Sequence, residues 1–264
     1  MKKKWTGERL ETFVSNETTV EHLHRYGIVM PFIENKTVLD IACGEGYGSK
    51  LLSSKALKVI GVDIDPETIE NAINKYKASN LTFIQGSADK IPAEDAFVDV
   101  IVSFETIEHH DKHNEMMNEI KRVLKPGGIL IISSPEKTGE ISFNEFHVKE
   151  LTRREFTELI AANFKFYKLY NQKIVYGSLI TPVENDGHAR FEYQEGNFQQ
   201  INIYNDVPYA TFNICIATDQ SEIDLPLSFF DGNDILVQNL LSPYKNSRLF
   251  RLGNFLRNIM RPTK

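Results

Sequence analysis

Cysteine is nearly missing from this 264-residue chain, which has only Cys43 and Cys215. Two cysteines cannot form a disulfide framework, so an apolar core has to supply the stability. No apolar run reaches the roughly 18 residues that a membrane-spanning helix needs. The N-terminus "MKKKWTGERL" has the positive charge of a secretion signal but no apolar stretch behind it. A cytoplasmic location is the resulting expectation. A basic excess is missing too. The net charge is −6, and residues 235–264 hold six Lys and Arg and no acid, which leaves residues 1–234 at −12. So acidic a body repels a phosphate backbone and speaks against a nucleic-acid partner. Internal repeats and low-complexity tracts are absent as well.

What remains is an ordinary globular composition, 41% apolar and 25% charged. Its length suits one α/β domain with embellishments. "KTVLDIAC", "LKVIGVDID", "LTFIQG", "FVDVIVSF" and "GILIISSP" read as strands apolar on both faces. Between them, "YGSKLLSSK", "PETIENAINKYK" and "NEMMNEIKRVL" read as helices. Pro66 suits the first turn of the second, and "KPGG" is expected to stop the third. Thr18 with Glu21 predicts a capping box for the helix "TTVEHLHRYGIVM", and Thr152 with Glu155 another for "LTRREFTELIAANF". Alternation of this kind predicts a mostly parallel sheet with helices on both faces. Two further strands, "FKFYKLYNQKIVY" and "YATFNICIA", lie on either side of a segment too long for a hairpin loop. The expected organisation is a lid-helix region over 1–35 and a domain over 36–217, with 176–208 inserted as a cap. An extension over 218–264 follows.

"VLDIACGEGYG" places glycines between a strand and a helix, where backbone can approach a ligand at a helix N-terminus. The nicotinamide fingerprint G-x-G-x-x-G fails, because Ser49 follows Gly44 and Gly46 where a third Gly is required. Asp63 ends the second strand nineteen positions after Gly44. A carboxylate there can accept hydrogen bonds from both ribose hydroxyls of a nucleoside cofactor, or it can be a turn residue before Pro66. Cys43 in this loop reads as a small packing residue rather than a nucleophile.

Together these motifs, with "FIQGSADKIP", "VDVIVSFETIEH" and "VLKPGGILIIS", resemble class I S-adenosylmethionine-dependent methyltransferases of the type 11 group over roughly residues 36–135. The resemblance implies a Rossmann-like α/β fold, a seven-stranded mostly parallel sheet whose last strand is antiparallel. It also implies S-adenosylmethionine as cofactor. Asp40 and the backbone of Ala42, Cys43, Gly44 and Gly46 would face the methionine part. Asp63 would hold the ribose, Ile64 would pack on the adenine, and Ser87 and Ala88 would edge it; Phe104 would lie against the same cofactor. Two positions depart from the pattern: Ala42 replaces a glycine, at little cost for so small a methyl group, and Ser87 replaces an aspartate, a contact that Asp89 could make instead. In this fold the N-terminal helix usually lids the cofactor, so Arg25 or Tyr26 would touch the methionine carboxylate. Alternatively His22, His24, Arg25 and Tyr26 are polar surface residues of an amphipathic helix.

The stretch "SFETIEHH" ends a buried strand in titratable groups. If a helix begins near Glu105, then Glu105, Glu108 and His109 share one face at i, i+3 and i+4. Two adjacent carboxylates repel, and a divalent cation relieves that repulsion. E-x-x-E-H also resembles the metal site of small-RNA 2′-O-methyltransferases and ubiquinone-pathway O-methyltransferases. In those a distant histidine completes the set, and His147 is the matching candidate. Mixed oxygen and nitrogen ligands suit Mn, Fe or Zn better than Mg. His110, with His109, is the candidate catalytic base that takes the released proton. The plainer alternatives are that Glu105 or Glu108 caps a helix and that His109 is a half-buried hydrogen-bonded residue or a metal-free base.

"TGERLETF", "EHLHRY" and "FHVKELTRREF" resemble methyltransferases of bacterial capsule and surface-polysaccharide assembly. That resemblance implies O-methylation of a small carbohydrate-type acceptor: a sugar, sugar nucleotide or phosphoryl-linked group. Rival expectations are a metal-free small-molecule methyltransferase, an RNA 2′-O-methyltransferase and a non-catalytic cofactor-binding subunit. The tail "SRLFRLGNFLRNIM" sets Leu249, Leu252, Leu256, Ile259 and Met260 at helical spacing beside arginines. It is expected to dock on the acidic body, with self-association or a peripheral membrane contact as the alternative.

Overall fold

The structure is a computed structural model that describes residues 9–137, 144–180 and 191–237. The expected basic helix over 249–260 lies outside the described residues. Seven strands form one sheet in the order β3-β2-β1-β4-β5-β9-β6. They are β1 (Thr37–Ile41), β2 (Lys58–Asp63), β3 (Leu81–Gln85), β4 (Val98–Ser103), β5 (Leu124–Pro135), β6 (Phe166–Gln172) and β9 (Phe212–Thr218). β1 to β5 pair in parallel, whereas β9 runs antiparallel to both β5 and β6. A separate hairpin, β7 (Tyr193–Gly196) with β8 (Ile201–Tyr204), lies between β6 and β9 in sequence.

The strands read as continuous apolar runs because both sheet faces are covered. One face sends Leu39, Ile60, Ile101, Leu130 and Ile132 against Met116, Met117 and Ile120 of α4 (His113–Val123) and Phe156 and Ile160 of α5 (Arg153–Asn163). The other sends Val38, Val59, Val100, Val102 and Ile131 against Tyr26 and Val29 of α1 (Glu17–Val29) and Leu52 of α2 (Tyr47–Leu52). Alternate strand residues thus serve opposite layers. α3 (Pro66–Lys75) covers the β3 end through Ile69 and Ala72 on Phe83.

Chain ends of these elements confirm some expectations and correct others. Thr152 and Glu155 form the predicted capping box, and Pro66 opens α3 with Asp65 as N-cap. The box on α1 is Asn16 with Thr19, not Thr18 with Glu21: Asn16 Oδ1 accepts the Thr19 N–H at 3.2 Å. "KPGG" does not cap α4. The helix ends at Val123 and β5 begins at once; Val98 pairs with Leu124 but Val100 with Ile129. The two glycines absorb that shift, with Gly127 at φ +77°.

The sheet order reverses between β1 and β4, and parallel strands bring the carboxyl ends of β1, β2 and β4 to one edge. A crevice opens where neighbouring connections leave to opposite faces.

Candidate active site

In that crevice lies a cavity of about 700 Å³. Its floor at one end is the loop after β1. Ala42, Gly44 and Gly46 all take left-handed backbone, at φ +56°, +53° and +90°. The loop curls so that the Cys43 N–H donates to the Val62 carbonyl at 2.9 Å and the Gly44 N–H to Asp63 Oδ2 at 2.9 Å. Gly48 is required by packing, because a Cβ there would fall 1.9 Å from the Tyr26 ring. Ala42 corrects the sequence-based view that its methyl costs little: the cost is in the backbone, which an L-residue at φ +56° pays at about 1 kcal/mol.

Ala42, Cys43, Gly44, Asp63, Ile64, Ser87, Ala88 and Phe104 line the cavity. Asp63 is buried and also accepts the Asp65 N–H at 3.0 Å, so it serves the turn and still faces the cavity. Ile64 stays 65% exposed, an apolar side chain free to take a flat ring. The Ser87 hydroxyl donates to Asp89 at 2.5 Å, and Lys112 holds the other Asp89 oxygen at 2.6 Å. Those two contacts, Lys112 first, pull the Asp89 carboxyl down to about 2. Ser87 Oγ keeps its lone pairs to accept an amine.

Asp40, Gly46 and Arg25 are placed otherwise, since none of them lines the cavity. Asp40 sits beneath the loop, where Ser49 Oγ donates to it at 2.6 Å and Tyr26 Oη at 3.3 Å. Burial raises its carboxyl to about 7, although the Ser49 and Tyr26 hydrogen bonds oppose this. Gly46 is the N-cap of α2 and packs on Phe83. Arg25 is neither a surface residue nor a wall of the site, being 1% exposed. Its Nε donates to Gln172 at 2.7 Å, its guanidinium lies 4.2 Å over the Phe212 ring, and Nη1 is 3.5 Å from Glu105. Of α1, it is Thr18, Glu21, His22 and Tyr26 that reach the cavity. No described residue of 176–208 lines it.

The other end of the cavity holds the titratable cluster. Glu105 does not start a helix. It is left-handed at φ +49°, and its carboxylate accepts from Ser133 Oγ at 2.5 Å. The helical turn begins later, as a short 3-10 turn over Ile107–His109. Glu105 therefore does not share a face with Glu108 and His109. What approaches them is His147: Glu108, His109 and His147 bring ligand atoms within 4.8 Å of one another. The segment after β5 is stitched on by backbone, with the Val148 and Lys149 N–H groups donating to the Glu108 carbonyl at 2.8 and 3.0 Å.

The protonation pattern follows from the partners. His109 Nδ1 lies 2.9 Å from the Phe146 carbonyl, which can only accept, so the proton is on Nδ1 and Nε2 carries a lone pair. His147 Nδ1 meets Glu150 at 2.5 Å with the same consequence, and its Nε2 accepts from Asn144 Nδ2 at 2.9 Å. Glu108 is 1% exposed, and both its carboxylate oxygens lack a hydrogen-bond partner. Burial, then the neighbouring Glu105 carboxylate, pushes its carboxyl well above the usual range. His110 lines the cavity with both ring nitrogens buried and unpartnered. Burial, then His113, lowers its pKa and keeps the ring neutral.

The donor set of Glu108, His109 and His147 fits a divalent cation: one buried orphan carboxylate and two imidazoles with fixed tautomers, each second nitrogen anchored by an acceptor. The loop end fits a nucleoside: a carboxylate facing the cavity, a backbone cradle and an open apolar side chain. Sequence reasoning missed Arg9 and Leu10, which also line the cavity. Their only signal was "TGERLETF", a motif lying outside the cofactor core.

Comparison with known proteins agrees with this geometry. Residues 39–132 match the family described as "Methyltransferase domain". A probable S-adenosylmethionine-dependent methyltransferase of Mycolicibacterium smegmatis is 36% identical over 130 residues, covering 47% of this chain and 50% of that protein. A phthiotriol/phenolphthiotriol dimycocerosates methyltransferase of Mycobacterium ulcerans is 28% identical over 133 residues, covering 49% of each. The chain spans about half the length of these curated relatives. The crystal structure of YcgJ from Bacillus subtilis has the same fold, with a TM-score of 0.56 at 22% identity, covering 76% of this chain and all of that one. The chain therefore has a Rossmann-like methyltransferase fold, and its residues 39–132 are similar to a methyltransferase domain.

Proposed function

We propose that the protein is an S-adenosylmethionine-dependent O-methyltransferase assisted by a divalent cation. Its acceptor is a small carbohydrate-type molecule of bacterial capsule or surface-polysaccharide assembly, such as a sugar, sugar nucleotide or phosphoryl-linked group. One observation carries the chemistry: an unpartnered buried carboxylate, Glu108, stands with two lone-pair imidazoles in the wall of the cavity that also holds Asp63. A buried carboxylate without a partner costs several kcal/mol, roughly, unless a proton or a cation neutralises it.

When bound, S-adenosylmethionine supplies an electrophilic methyl group and the cation a more acidic acceptor hydroxyl. The chain does the rest. Asp63 offers its two remaining lone-pair directions to ribose hydroxyls, and Ser87 Oγ offers one to an amine. Glu108, His109 and His147 would hold the cation, with Glu150 and the Phe146 carbonyl fixing the two imidazoles. His110, neutral and unpartnered, is placed to take the acceptor's proton. Several titratable groups at this end favour an acceptor with more than one oxygen.

A metal-free variant of the same reaction is favoured by one contact: Asn144 Nδ2 donates to the His147 lone pair that a cation would need. The M. ulcerans relative's name adds lipid alcohols to the acceptors worth assaying. Elemental analysis of purified protein, then methyl transfer to sugar nucleotides and to lipid alcohols with and without chelator, tests the reading. Turnover that is indifferent to chelator overturns the cation. Failure to bind S-adenosylmethionine overturns the whole proposal. No helix among the described residues is long and apolar enough to cross a membrane.

A further inference from the structure

We propose that residues 9–14 form a strap that retains the nucleoside half of the donor, with Arg9 fastening it to the ribose-binding acid. The inference rests on the donor reading above and concerns release rather than chemistry.

The strap crosses the glycine loop and is tied down on both sides. On one side Arg9 Nη1 reaches Asp65 Oδ2 at 3.0 Å and Thr68 Oγ1 at 3.4 Å, and Nη2 stands 3.6 Å from Asp63 Oδ1. On the other side Thr12 is bound to Glu45. Its N–H donates to both carboxylate oxygens at 3.3 Å, and its hydroxyl donates at 3.1 Å. Glu45 is itself held by Lys75 at 2.5 Å and by the Tyr76 hydroxyl at 2.9 Å. Burial works against the charged Glu45, but the bonds from Lys75, Tyr76 and Thr12 outweigh it and keep its carboxyl below the ordinary value. Between the two anchors Leu10 is buried and lines the cavity next to Arg9. These ties run to the first turn of α3 and to Glu45 of the glycine loop, both at the donor end.

The Asp63 carboxylate explains why Arg9 is coupled to the ligand. It has about four lone-pair directions. Backbone N–H groups of Gly44 and Asp65 use two of them. Two ribose hydroxyls would use the other two, and Arg9 Nη2 faces Oδ1 from just beyond hydrogen-bond range. A bound nucleoside displaces that long contact and leaves the shorter Arg9–Asp65 pair in place. Arg9 then closes over the ribose from Asp65, and leaving requires the strap to lift.

The test uses the full-length protein and S-adenosylhomocysteine as probe, because its release needs no acceptor and no metal. Dissociation rates are measured for the wild type, Arg9→Gln, Arg9→Lys and Thr12→Val, with thermal melts confirming that each variant folds. Arg9→Gln is expected to release the probe about fivefold faster, the size of one partly exposed ion pair. Arg9→Lys should fall between Arg9→Gln and wild type, and Thr12→Val should also release faster. Raising the salt concentration should quicken wild-type release and leave Arg9→Gln nearly unmoved. A wild-type rate in either Arg9→Gln or Thr12→Val overturns the strap. Absence of probe binding by the wild-type protein overturns the donor reading instead.

Discussion

The two ends of the cavity are built on opposite principles. At the donor end three acids have partners within the protein. Asp63 takes two backbone N–H groups, Asp40 takes Ser49 and Tyr26, and Asp89 takes Ser87 and Lys112. At the acceptor end Glu108 and His110 are left with none. A protein satisfies its buried polar groups almost everywhere, so the exceptions mark where something else is meant to sit. Stability and function should therefore separate along the cavity. Removing Asp63, the partnered acid that faces the cavity at the donor end, should cost both, and substitutions at the acceptor end should cost function alone.

The largest effect is expected from Asp63→Ala. It strands the Gly44 and Asp65 N–H groups and removes the ribose acceptor, so calorimetry with S-adenosylhomocysteine should show binding weakened by about 100-fold or more. Melting should also fall. Retained affinity would break the assignment of this end. Next comes Glu108→Gln, for which donor affinity should be unchanged while turnover drops by about 100-fold and metal content falls. Without added metal this variant should be more stable than wild type by about 1–2 kcal/mol, since it removes a buried unpaired carboxyl. A fully active Glu108→Gln would dissolve the contrast between the ends.

Asp40 sharpens the comparison through pH. Its folded pKa of about 7 lies above the ordinary 3.8. Between those values the folded state binds more protons than the unfolded one, so this group's contribution to stability falls as pH rises from about 4 to 7. The melting temperature of Asp40→Asn relative to wild type should therefore improve over that range; a pH-independent difference would remove Asp40 from the account. The smallest effect is Ala42→Gly, which relieves left-handed strain and should stabilise by about 1 kcal/mol in denaturant melts with donor affinity kept.

How much of this was legible in the sequence follows the same division. The donor end is local. A strand, a glycine turn and an acid at the end of the next strand are fixed by short-range periodicity and by φ preferences, and they appear where they were expected. Glu105 and "KPGG" were misplaced because the backbone there bends otherwise than the helical reading expects, and Arg25 because packing turned it inward from a helix that is itself as expected. A left-handed residue at position 105 and a register shift at Gly127 and Gly128 are decided by neighbours in the sheet. The N-cap of α1 moved for a similar reason, Asn16 being as good a cap as Thr18 and lying nearer the true turn.

By itself the sequence determined the layered α/β architecture, the loop and acid that face the cavity, and the candidate ligands by type, because these depend on residue patterns within a few turns or strands. Only the tertiary structure decided that His147 meets Glu108 and His109, that Arg25 goes inside beneath Glu105, and that Arg9 reaches Asp63. Those pairs join segments whose separation carries no periodic signal. They form where backbone bonds such as Val148 to Glu108 and ion pairs such as Arg25 with Glu105 and Arg9 with Asp63 bring the segments together.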